Sequence, residues 1–201
     1  MLACFFWRSL VLLALGANAA MLFPPLSTAG ADIVDAEGNK VQLKCVNWYG
    51  AQLHQLVPSG LDQRPLDSIA TIISEDLSLN CVRLVYALEM VRRGSELVEN
   101  ATSLLAANPT LQLNSYMGVF DATVAALTER GLVVILNNHN SDGGWCCHDY
   151  DKNGLWYTDT YPEWEWLAHL DALTRRCEVC YCMIYLRPYH NNNCQSLLKF
   201  S

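Results

Sequence analysis

The sequence predicts a parallel α/β fold of the barrel type, and three observations carry that prediction. Short apolar runs at 41–48, 81–86 and 132–136 alternate with segments of helical period. These runs are apolar on both faces, as in strands of a parallel sheet covered by helices. Polar and aromatic residues gather directly after each run, at the strand ends where barrel enzymes build their sites. A doubly wound sheet shares the rhythm. However, neither Tyr49-Gly50-Ala51 nor Gly143-Gly144-Trp145 has the spacing of a phosphate-binding loop.

The chain begins with one positive charge in residues 1–8, an apolar run at 9–15 and a small-x-small site at Ala17-Asn18-Ala19. This pattern predicts a leader over 1–19, cleaved after Ala19, and a secreted mature protein. The apolar run is about half the roughly 20 residues that span a bilayer, so no stable membrane anchoring is expected. Cleavage removes Cys4 and Arg8, leaving eight cysteines and a net charge of −8. An acidic chain without basic clusters argues against nucleic acid as a partner. Export permits disulfides. Asn100-Ala101-Thr102 is a glycosylation sequon and predicts a surface loop.

Segments 31–34 and 40–44 flank Asp35-Ala36-Glu37-Gly38-Asn39, the pattern of a β-hairpin. The strand at 41–48 follows. Pro65 opens a helix with Leu66, Ile69 and Ile73 on one face. After the second strand, a helix is predicted over 95–107 and another over 119–130, where Phe120, Val124 and Leu127 align. Gly131 supplies its stop. Beyond the third strand, Pro162 starts a helix to Arg176, with Trp166, Leu167, Leu170 and Leu173 predicted to face inward and Trp164 and Trp166 read as core. Cys45 and Cys81, within strands, read as buried free thiols. Cys146 and Cys147 are adjacent and do not readily pair with each other, so one is expected to bridge elsewhere.

Three strand ends stand out: Val46-Asn47-Trp48-Tyr49-Gly50, Asn80-Cys81-Val82-Arg83-Leu84 and Val133-Val134-Ile135-Leu136-Asn137-Asn138-His139. The last runs on into Ser141-Asp142-Gly143-Gly144-Trp145-Cys146-Cys147 and then Asp151-Lys152-Asn153-Gly154-Leu155-Trp156-Tyr157. As an ordered set over roughly 31–176 they resemble glycoside hydrolase family 5, the cellulase-type retaining glycosidases. The resemblance implies a partial (β/α)₈ TIM barrel of about three βα units behind an N-terminal hairpin. It also implies a β-linked oligo- or polysaccharide as substrate and no cofactor. By motif, Arg83 and His139 fall where the family holds its nucleophilic carboxylate or the sugar. A fixed guanidinium there orients a carboxylate and keeps it ionised. An ordinary ion pair for Arg83, and a buried or metal-binding role for His139, are the plainer readings. Asn138 and His139, together with Trp48, Trp145, Trp156 and Tyr157, are the candidate substrate contacts, with core packing or loop anchoring as the alternative for the aromatics.

The resemblance stops short of the chemistry. Retaining glycosidases need two carboxylates about 5–5.5 Å apart, and the family's acid/base is the Glu of an Asn-Glu-Pro signature. No Asn-Glu-Pro occurs in the 201 residues. Asp142, Asp149, Asp151 and Asp159 share one long loop and read as solvating it. The chain is therefore expected to be a truncated, inactive hydrolase, with a secreted non-catalytic glycan-binding fragment as the alternative. The tail 177–201, rich in Cys and Asn, breaks with what precedes it. Its Cys177-x2-Cys180 and His190-x3-Cys194 spacing admits a small zinc-binding protein as a third reading. The run at 179–186 is available as a fourth strand, and an open sheet predicts self-association through its edges and inner face.

Overall fold

The computed structural model describes residues 25–145, 148 and 150–176, and the backbone of a strand at Cys182–Tyr185. The leader, Cys146, Cys147, Asp149 and the zinc-like tail spacing lie outside the described residues.

A two-stranded antiparallel ribbon, β1 (Ser27–Ala29) and β2 (Asp32–Val34), precedes a four-stranded parallel sheet. The sheet is ordered β3 (Cys45–Trp48), β4 (Cys81–Ala87), β5 (Val133–Asn140) and β6 (Cys182–Tyr185). Strands in sequence order, each joined to the next through helix, are the progression of a (β/α)₈ barrel, here without closure among the described residues. The run at 179–186 thus contributes the fourth strand. The hairpin differs from expectation. β2 pairs backward with β1, while the 35–39 turn leads only to a single bridge between Val34 and Lys40. That turn is held by Asp35, whose Oδ1 accepts the Glu37 and Asn39 amides at 3.0 and 2.8 Å.

Pro65 precedes α1 (Leu66–Thr71), which runs into a π turn at Ile72–Asp76. An α-helix start leaves N–H groups unpaired. Buried Asn108 answers one of them, its Oδ1 accepting the Leu66 amide at 2.7 Å while its Nδ2 donates to the Leu61 and Arg64 carbonyls. The predicted helix over 95–107 shrinks to α3 (Ala101–Leu104), because Asn100 sits at φ 54° and breaks the helical path. A short helix not predicted, α2 (Leu88–Arg92), follows β4 directly. α4 (Tyr116–Thr128) is capped by Ser115, which accepts the Gly118 amide at 3.1 Å. It ends before Gly131, whose φ of +71° makes the turn into β5.

The core lies on the helix side of the sheet. There Val82, Leu84, Tyr86, Val134 and Leu136 pack with Ala70 and Ile73 and with Phe120, Val124 and Leu127 of α4. The final helix, α5 (Glu163–Arg176), corrects the predicted face: Leu173 is buried, but Leu167 and Trp164 are exposed, and Glu165 is buried instead. The reason is a carboxylate partner on α2, described below. The other face of the sheet also holds buried apolar side chains. Val85 and Val133 are buried, flanked in the register by Asn137 and Cys81 respectively.

Cys45 and Cys81 are not free thiols. They form a disulfide with Cα atoms 4.3 Å apart. The parallel register sets them directly opposite each other at the start of β3 and β4, a long-range pairing that neither local segment discloses.

Candidate active site

The same register builds the other end of the sheet. Asn47, Arg83 and Ile135 lie side by side across β3, β4 and β5. Arg83 Nη1 donates to Asn47 Oδ1 at 3.4 Å and Nη2 to Asn137 Oδ1 at 2.5 Å. Asn137 is fully buried. Both acceptors are neutral amides, so these bonds fix the plane of the guanidinium without cancelling its charge.

His139 is placed by an irregularity. Tyr86 pairs with Asn138 and Ala87 with Asn140, so the β4–β5 ladder skips His139. Such a bulge re-aims the extra residue, and bulges concentrate beside active sites. His139 is half-buried. Asn138, next to it, donates to the Asn140 carbonyl at 3.0 Å.

The loop after β5 is held by buried amide side chains. Asn140 Nδ2 donates to the Gln52 and Gly144 carbonyls at 3.1 and 2.8 Å, and the Gly144 amide returns to the Gln52 carbonyl at 2.9 Å. Asn153 Oδ1 accepts the Ser141 and Asp142 amides at 2.9 and 2.7 Å. The Gly143 amide donates to Glu89 Oε2 at 2.8 Å. Asp151 accepts the His148 and Asn153 amides, and these bonds hold its carboxyl below its ordinary value. Asp151 is thus a turn-former as well as a solvating group. The loop after β3 turns at Gly50, whose amide donates to Gln52 Oε1 at 2.7 Å. A Cβ on Gly50 would fall 2.2 Å from the Ser59 nitrogen.

The aromatics divide. Trp48 is buried in the helix-side core, its indole donating to the Ser59 carbonyl at 2.9 Å, so its ring face is not offered to a ligand. Tyr49 and Trp145 are exposed and stacked, with centroids 6.3 Å apart and planes 30° apart. Trp156 and Tyr157 meet edge to face at 5.1 Å, with the Trp156 indole 3.3 Å from Glu163 Oε1. Trp156 is half-buried and Tyr157 exposed.

A latch joins α2, α5 and the end of this loop. Arg92 forks onto Glu165 at 2.6 and 2.5 Å, donates to the Thr160 carbonyl, and lies 3.7 Å from the Tyr161 ring centroid. The Arg92 bond holds the Glu165 carboxyl below its ordinary value. Burial lowers His169, 3.6 Å from the same carboxylate. Burial, with the Glu89 and Asp142 carboxyls, pushes Tyr161 up to about 12. Arg83 and His139, the two residues singled out in the sequence, lie on β4 and β5. The amides that hold this end of the sheet, Asn47, Asn137, Gln52, Asn140 and Asn153, are not singled out in the sequence, where their only local sign is amide residues clustered at strand ends.

A parallel sheet with a clamped arginine, a bulged histidine and exposed aromatics at its C-terminal end defines the class: part of a (β/α)₈ barrel with its candidate site at the C-terminal face. The family model for cellulase (glycosyl hydrolase family 5) matches residues 34–170, and the chain belongs to that family. A glycosyl hydrolase 5 family protein of Chamaecyparis obtusa is 40% identical over 151 residues, covering 68% of this chain and 27% of that protein. The catalytic domain of the major endoglucanase of Xanthomonas campestris superposes with a TM-score of 0.67 at 28% identity. That match covers 80% of this chain and 44% of the domain. An endocellulase of Pyrococcus horikoshii, in a complex structure with cellotetraose, shares the fold with a TM-score of 0.62 at 22% identity, covering 78% of this chain and 40% of that one. The chain therefore spans between about a quarter and a half of the length of these relatives.

Proposed function

We propose that these residues form the N-terminal strands of a retaining β-glucan hydrolase site. In it Arg83 and His139 position a nucleophilic carboxylate and the sugar bound against it. The observation that carries the reading is the Asn47–Arg83–Asn137 clamp, which presents a pre-oriented cationic fork at the strand ends. Asn138, Trp145, Trp156 and Tyr157 line the loop that would meet the glycan, and buried Trp48 anchors the turn beneath it. The cellotetraose held by the Pyrococcus relative is the substrate class this arrangement suits.

The 201 residues alone are proposed to bind glycan without hydrolysing it. Retention needs two carboxylates about 5–5.5 Å apart, and three of the carboxylates around this loop have structural partners. Glu89 holds Gly143 and pairs with Arg93, Asp151 forms its turn, and Glu165 is forked by Arg92. Export after cleavage of 1–19, glycosylation at exposed Asn100, a tail at 177–201 that diverges in sequence while supplying β6, and self-association along the sheet edges complete the proposal.

The test is a chimera in which residues 20–176 are joined to the remaining strands of a homologous endoglucanase. It should hydrolyse cellotetraose with retention of configuration. Arg83→Ala and His139→Ala should each lower kcat/KM by about 10²-fold or more. Full activity in both variants would overturn the site assignment.

A further inference from the structure

His139 owes its placement to a bulge, and a bulge must be held on both sides. The extra residue stands between Tyr86–Asn138 and Ala87–Asn140, the last two pairs of the β4–β5 ladder. A slip of one residue would draw His139 into the ladder against Ala87 and turn Asn140 to the other face. Upstream, the run of pairs from Cys81–Val133 onward fixes the register. Downstream, only Ala87–Asn140 remains in the ladder, because β4 ends at Ala87 and α2 begins.

Glu89 adds to the downstream hold twice. Its amide donates to the Ser141 carbonyl at 2.9 Å, which continues the interstrand bonding past the end of β4. Its Oε2 accepts the Gly143 amide at 2.8 Å, while its Oε1 lies 3.6 Å from Arg93. One residue thus grips alternate positions of the segment that leaves the bulge. Gly143 has no room for a side chain at this approach: a Cβ would fall 2.9 Å from Leu56 Cδ2, 3.0 Å from the Leu53 carbonyl oxygen and 3.1 Å from Glu89 Oε2. The rest of the loop has other ties, Asn153 to Ser141 and Asp142, and Arg92 to Thr160 and Glu165. The Glu89 bonds are the ones that return the bulge exit to the end of β4, the strand that carries Arg83.

We infer that Glu89 is a positioning residue for His139, a role that rests on the glucan-hydrolase reading above. It fixes the exit of the bulge, and with it the direction in which His139 meets the carboxylate and sugar. It does so by reach and not by charge, because what holds the segment is an acceptor placed at the Gly143 amide. Its carboxylate takes no part in bond breaking, since both oxygens are engaged, Oε1 with Arg93 and Oε2 with Gly143.

Two conservative variants separate reach from charge. Glu89→Gln keeps an acceptor at the same reach and loses the charge, whereas Glu89→Asp keeps the charge and falls one methylene short. In the mature chain, the imidazole signals of His139, assigned by their loss in His139→Ala, are followed by NMR. They should overlay the parent's in Glu89→Gln and move in Glu89→Asp. In the chimera described above, Glu89→Asp should lower kcat/KM by about tenfold, as misplacement at a reacting centre does, and Glu89→Gln should stay within about threefold of the parent. Glu89→Asp/His139→Ala should stay within about threefold of His139→Ala alone, because residues that act as a unit are not additive. With His139→Ala slowed, three results overturn the inference and leave the hydrolase reading standing: losses that multiply in the double variant, unmoved His139 signals in Glu89→Asp, or Glu89→Gln behaving like Glu89→Asp. Full activity in His139→Ala removes the hydrolase site assignment itself, and the positioning role falls with it.

Discussion

Removing the Cys45–Cys81 disulfide should cost more stability than any other paired substitution near the sheet. The two residues are 36 apart in sequence. In the chain-entropy treatment, closing a loop of that length restricts the unfolded chain by about 3.8 kcal/mol at 25 °C. Cys81 is fully buried and Cys45 lies on the first strand of the sheet, so Cys45→Ala/Cys81→Ala adds only a small cavity at Cys81. At about 2–4 °C per kcal/mol for a chain of this size, the melting temperature should fall by about 8–15 °C. Urea and thermal unfolding of the double variant against the parent, both without reductant, measure it. The parent should also resist alkylation at Cys45 until reduced, as read by mass spectrometry of the peptide. A loss below about 1 kcal/mol, or ready alkylation of exposed Cys45 in the native parent, would refute the reasoning.

Acid should weaken the α2–α5 latch in two steps. His169 and Glu165 both titrate below their ordinary values in the folded chain, so the unfolded chain takes up these protons first. The His169 contribution is complete above 6.5 and is lost as pH falls through its lower folded value, and the Glu165 contribution follows below 4.5. In urea midpoints measured against pH, His169→Gln should remove the upper step and Glu165→Gln the lower. Gly50→Ala should destabilise by about 2–3 kcal/mol, since φ is +128° and the new Cβ meets backbone on two sides; a parent-like denaturation midpoint would contradict this. N-terminal sequencing of exported protein should begin at Ala20, and endoglycosidase treatment should shift its mass only while Asn100 is intact.

What could be read from the sequence was whatever a single segment records. Arg83 is conspicuous because a guanidinium interrupts an apolar run, and β5 is plain because five apolar residues stand together. The partners of Arg83 are 36 and 54 residues away, so nothing local marks Asn47 or Asn137 as a clamp. The disulfide is illegible for the same reason, its two cysteines standing 36 residues apart. The helix predicted over 95–107 has apolar residues at suitable spacing, Val98 and Leu105 among the buried ones, but a left-handed Asn100 interrupts it. α5 shows the reverse error. Its apolar stripe predicts the inward face, and Leu173 is buried with Trp166 and Leu170 half-buried, but Leu167 faces water and the Arg92–Glu165 fork places a carboxylate among the buried groups.

The disulfide and the clamp are consequences of a single register. Cys45 faces Cys81, and two residues further on Asn47 faces Arg83. In a strand, two residues return to the same face, while a slip of one sends every side chain to the other. β3 is only four residues long and is paired on one side among the described residues, so its backbone ladder alone specifies register weakly. A covalent bond at its first residue removes that freedom. It fixes which asparagine meets the guanidinium and, through Trp48 and Gly50, where Tyr49 emerges. The cystine at the N-terminal end of the strands therefore acts on the proposed site through geometry: it lies at the opposite end, yet it fixes the register that sets Asn47 against Arg83.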